Sequence, residues 1–89
     1  MAVLLITYDL NNETKRPPLL QTLKDLFPAW ARLSESSYAV STDLPPEQVY
    51  NALAPLLDAD DNCFVITLNR PWWGRAQQDD VMEWLKGAL

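Results

Sequence analysis

Apolar residues follow two rhythms along this chain, an alternation that suits strands and a three-and-four spacing that suits helices. The segment AVLLITYDL is rich in β-branched and aromatic residues and ends at Asp9, with Asn11 and Asn12 supplying turn chemistry. Its two pleat faces, Val3, Leu5, Thr7 and Leu4, Ile6, Tyr8, are both largely apolar. A strand of that kind belongs in the middle of a sheet covered on both sides. After the polar turn NNETKR, Pro17 and Pro18 suit the first turn of a helix, where a missing amide hydrogen matters little. Leu19, Leu20, Leu23, Leu26 and Phe27 then keep helical spacing up to Pro28, which restricts the residue before it and stops the helix.

Two short strands are expected next, about Trp30 to Leu33 and Ser37 to Thr42, separated by a polar SES turn. Pro45 and Pro46 open a second helix carrying Val49, Tyr50, Leu53, Leu56 and Leu57. Pro55 lies inside that pattern, and an interior proline costs about 3 kcal/mol, so a kink or a looser last turn is expected there. The acidic stretch Asp58 to Asn62 reads as a turn and CFVITL as the fourth strand. A linker, NRPWWGR, leads to a last helix over about Gln77 to Leu89 with Val81, Met82, Trp84 and Leu85 as its apolar residues.

Strand, helix, strand, strand, helix, strand is the order of the split βαβ plan, so the expected fold is α+β, a ferredoxin-like βαββαβ sandwich. Its four-stranded antiparallel sheet carries an added C-terminal helical segment. The chain reads as one domain over residues 1–89, with a core over about 1–69 and the linker and last helix over about 70–89. Both principal helices of such a fold lie on one sheet face. One short terminal helix is a poor cover for the other, so a homodimer is expected.

Composition narrows the chemistry. An 89-residue chain buries roughly 64% of its unfolded surface by area scaling, enough for one core but not two. No stretch approaches the roughly 18 apolar residues of a membrane span, so no membrane association is expected. The apolar run after Met1 lacks the basic flank and long apolar region of a signal peptide, which makes the cytoplasm the expected compartment. A single cysteine, Cys63, precludes an internal disulfide and a thiolate cluster within one chain. Without histidine, any chemistry falls to carboxylates, hydroxyls, Lys and Arg. The net charge of −5 disfavours nucleic acid as a general partner, because phosphate neutralisation by Lys and Arg dominates such binding.

The YDL ending of the first strand, ARLSESSYAVSTDL across the middle hairpin and DADDNCFVITL into the fourth strand together resemble the small CRISPR-associated adaptation nuclease superfamily. The likeness is greatest to that superfamily's stand-alone relatives outside CRISPR operons and covers about residues 1–69. It implies a ferredoxin-like protomer that dimerises through its sheet and C-terminal segment. In nuclease members an aspartate at the end of the first strand helps bind a divalent metal near the dimer interface, and Asp9 holds that position. No cofactor is required by the sequence, but two Asp9 carboxylates related by a dyad, with waters and a phosphate, would suit Mg2+ or Mn2+. Members that bind nucleic acid carry basic residues after the first strand, where this chain offers Lys15 and Arg16 beside Glu13.

Among the other features, Asp58, Asp60 and Asp61 lack the glycine and distal glutamate of a calcium loop and read as a solvated turn. Ser34, Ser36 and Ser37 have no histidine to activate them. Trp72 and Trp73, between Arg70 and Arg75, form the one aromatic-and-basic cluster of the linear sequence; with Tyr8 they are the interface or stacking candidates. The functional expectation is a dimeric, non-catalytic interaction or regulatory module. Its alternatives are a metal-dependent endonuclease using Asp9 from each protomer and an antitoxin-like partner of a basic protein.

Overall fold

The computed structural model describes all residues, 1–89. The elements are β1 (Ala2–Asp9), α1 (Arg16–Leu26) after a 3-10 turn at Glu13–Lys15, β2 (Trp30–Ser34), β3 (Ser37–Thr42), α2 (Pro46–Leu53), β4 (Asn62–Leu68) and α3 (Asp79–Ala88). The strands form one antiparallel sheet in the order β2-β3-β1-β4, the ferredoxin-like arrangement expected. β1 is central, pairing Leu4 with Val40 and Ile6 with Tyr38 on one side, and Leu5 with Ile66 and Thr7 with Phe64 on the other.

Proline punctuation decides where the helices begin and end. Pro17 and Pro18 sit in the first turn of α1, and Phe27 leaves the helix in an extended conformation ahead of Pro28. In α2 the Pro45 carbonyl accepts hydrogen bonds from the amides of Gln48 and Val49, at 3.1 and 3.2 Å. Pro55 has no amide hydrogen to continue the ladder, so α2 ends at Leu53 and tightens into a 3-10 turn over Ala54–Leu56. That is the loosened last turn the sequence led one to expect. Tyr50, grouped with the apolar stripe of α2, instead faces solvent, and only Val49 and Leu53 of this helix are fully buried. α3 begins two residues later than expected, after an extended Gln78, with Asp79 and Asp80 placed favourably in its first turn.

The two sheet faces are finished differently. Leu4, Ile6, Tyr8, Tyr38 and Val40 meet Leu19, Leu23 and Phe27 of α1 and its flank, and Val49 and Leu53 of α2, in a continuous core of ten buried residues. On the other face Val3, Ala31 and Ala39 take Val81 and Leu85 of α3, a core of five. Alanines at positions 31 and 39 leave room for the helix to lie against β2 and β3. The Arg70 guanidinium ties the linker to the end of α3 by donating to the main-chain oxygen of Leu89. No helix is long and apolar enough to cross a membrane.

Candidate functional site

Because α3 lies over the β2–β3 side, the β1–β4 side of the second face is left open. Cys63 and Val65 of β4 turn into the larger core, whereas their alternates Phe64 and Ile66 are 60% and 49% exposed. Their cross-strand partners Thr7 and Leu5 extend the surface onto β1, where both are half-buried. Asp9 belongs to this face by the same alternation, at the end of the Val3, Leu5, Thr7 row and opposite Asn62. Its carboxylate is exposed and forms no ion pair in the chain. Nowhere do three His, Cys, Asp or Glu side chains converge in the chain. Asp9 therefore offers one hard oxygen donor group on an open surface, which matches the chemistry of Mg2+ or Mn2+ but supplies only a fraction of an octahedron.

Of the four linker residues expected to act together, the fold keeps Trp72, Trp73 and Arg75 around one cavity and sets Arg70 apart. Trp72 packs under the linker against the smaller core, while Trp73 is 100% exposed. Trp72, Trp73 and Arg75 border an apolar cavity of about 250 Å3, whose floor and wall come from Leu33, Leu68, Val81 and Leu85. Arg70 points away to the C-terminus.

Tyr8, expected as an interface or stacking residue, lies in the helix-covered core, 4% exposed, with its hydroxyl donating to the Glu35 carbonyl at 3.1 Å. Burial raises the pKa of its phenol against the opposing pull of Arg16, whose guanidinium lies 5.7 Å from the ring centroid. The even-numbered pleat of β1 made this location legible, since Tyr8 shares it with Leu4 and Ile6.

The acidic turn is more organised than a solvated loop. The Asp61 side chain is fully enclosed. It accepts from the Asp58 amide at 2.8 Å, from Lys15 Nζ at 2.7 Å and from the Asn11 amide at 2.8 Å. Those donors, the Asp58 amide foremost, hold its pKa down to about 2. Lys15 also pairs with Asp58. Partial desolvation disfavours the Lys15 ammonium, but its hydrogen bonds to Asp58 and Asp61 outweigh that and raise its pKa. The ammonium thus occupies the place between these carboxylates that a metal ion would need. Asp58 and Asp60 remain at the surface.

A second aromatic-and-basic concavity was not legible in the chain, because its members are far apart in sequence. Lys24, Trp30 and Arg32 come together there with Tyr38 and Trp84 at the outer edge of β2. Lys24 Nζ lies 4.8 Å from the Trp30 ring centroid, and Trp30 in turn packs on Tyr38 with centroids 5.6 Å apart. Only Trp30 and Arg32, adjacent in strand alternation, carried any signal of it. No family model matches the sequence, and no curated protein is significantly similar to it.

Proposed function

We propose that the chain is a self-associating interaction module of the adaptation-nuclease superfamily type, without robust catalysis, in which a second copy covers the open β1–β4 half of the sheet. The carrying observation is the outward pair Phe64 and Ile66 on a strand whose inward residues, Cys63 and Val65, already pack against the larger core. Exposed large apolar side chains grouped on one surface favour association by removing that surface from water. Sedimentation equilibrium tests the reading. A species of twice the 10.1 kDa chain mass is expected, and Phe64→Ser with Ile66→Thr returns it to a monomer. A chain that stays monomeric at millimolar concentration sinks it.

One observation favours a metal-dependent endonuclease as the second reading: Asp9 shares the open face, so a dyad that covers that face brings two Asp9 carboxylates to the same interface. When bound there, a divalent ion would activate water for phosphodiester cleavage. The two carboxylates would hold the ion, and the apolar rows beside them would exclude bulk water. Cleavage of RNA, single-stranded DNA or duplex DNA that requires Mg2+ or Mn2+ and is lost in Asp9→Ala supports this reading. Equal cleavage by wild type and Asp9→Ala removes it.

A further inference from the structure

The least economical side chain of the molecule is Trp73. A tryptophan that touches water over its whole surface forgoes the largest burial gain any residue offers, and aromatic residues so placed are the usual anchors of interfaces. It stands at the mouth of the cavity beneath the linker, next to Gly74. Apart from its chain neighbours Trp73 and Arg75, no heavy atom lies within 4 Å of where a Cβ on Gly74 would sit, so the approach is open. At about 250 Å3 the cavity is smaller than the roughly 300–1,000 Å3 typical of small-molecule sites. It is mostly apolar, and its polar groups are Arg75, suited to lie over an aromatic face, and Asn69, suited to accept from an indole N–H.

We infer that Trp73 of one copy seats its indole in this cavity of a second copy, while the second copy's Trp73 does the same in return. The inference rests on the self-association reading and names its anchor. Knob and socket sit side by side on one chain, so the exchange is isologous and closes at two. The area suffices. A standard interface buries roughly 800 Å2 per partner, of which somewhat over half, roughly 450 Å2, is non-polar. At roughly 150–250 Å2 for a large aromatic side chain, the whole of Trp73 and the 60% of Phe64 that is exposed offer roughly 240–400 Å2 per copy. Ile66 and Leu33, both exposed and on the same sheet face, supply the remainder.

Two variants test knob and socket separately. Trp73→Ala removes the knob, and Gly74→Leu adds bulk at a lining position of the cavity whose Cβ site is free of all but its chain neighbours. Both positions are on the surface, so melting of the dilute monomer should be unchanged. Each variant is expected to dimerise at least about 30-fold more weakly than wild type by sedimentation, the loss typical of a central anchor. An equimolar mixture is expected to associate more tightly than either alone, because it restores one intact contact. Wild-type tryptophan emission should shift to shorter wavelength with concentration, and Trp73→Ala should lose that shift. Dimerisation of Trp73→Ala as tight as wild type overturns the anchor while leaving self-association standing. A wild type monomeric at every concentration overturns both. A monomer that takes up free indole would assign the cavity to a small aromatic ligand and also overturn the exchange.

Discussion

The same four strands present one face that the chain closes itself and another that it closes only in part. On the helix-covered face two helices, set by proline pairs at their starts, bury side chains of β1 and β3 and take partly buried ones from β2 and β4. On the second face a single ten-residue helix reaches β2, β3 and the end of β1 but leaves Phe64 and Ile66 of β4 exposed. Two antiparallel helices span a four-stranded sheet about 20 Å across, whereas one helix roughly 10 Å in diameter covers half of it. Stability is thus concentrated on one side and unsatisfied surface on the other.

Substitutions should separate the two sides. The largest effect is expected for Leu23→Ala, which opens a void at the centre of the closed face. It should lower unfolding free energy by about 3–5 kcal/mol, read from urea midpoints at constant m-value. Leu85→Ala on α3 should cost less, about 2–3 kcal/mol, because it borders a cavity that already exists. A Leu85→Ala loss equal to that of Leu23→Ala would erase the distinction between the faces.

Acid should act on the closed side. Asp61 joins the start of β4 to Lys15 at the foot of α1, and its folded-state pKa, about 2, lies below the ordinary carboxylate value near 4. The stability it contributes is therefore complete above about pH 4 and is lost as pH falls from there through about 2. Asp61→Asn should flatten that part of the stability profile between pH 5 and pH 2, in urea titrations beside wild type. An unchanged acid limb would dissociate the turn from the core. The smallest effect is expected for Phe64→Ser on the open face. It should alter monomer stability by no more than about 0.5 kcal/mol while weakening self-association.

Much of the architecture was legible in the chain. The double apolar pleat of Val3 to Tyr8 identified a central strand, and Pro17, Pro28, Pro46 and Pro55 marked where helices start, stop and loosen. The candidate site was legible only in outline. Asp9 and the linker tryptophans stood out, but not that Trp72 turns inward and Trp73 outward, nor that Asp61 is a structural acceptor. Lys24, Trp30, Arg32 and Trp84 gave no joint signal, being brought together from α1, β2 and α3.

Local chemistry in the sequence determined the order and type of the elements, because backbone restriction by proline and the alternation of apolar side chains act over a few residues. Tertiary structure alone decided which half of the second face stays bare. That outcome depends on where α3 comes to rest across the sheet, set by the small Ala31 and Ala39 and by the reach of the linker from Leu68. No short stretch of the chain records it.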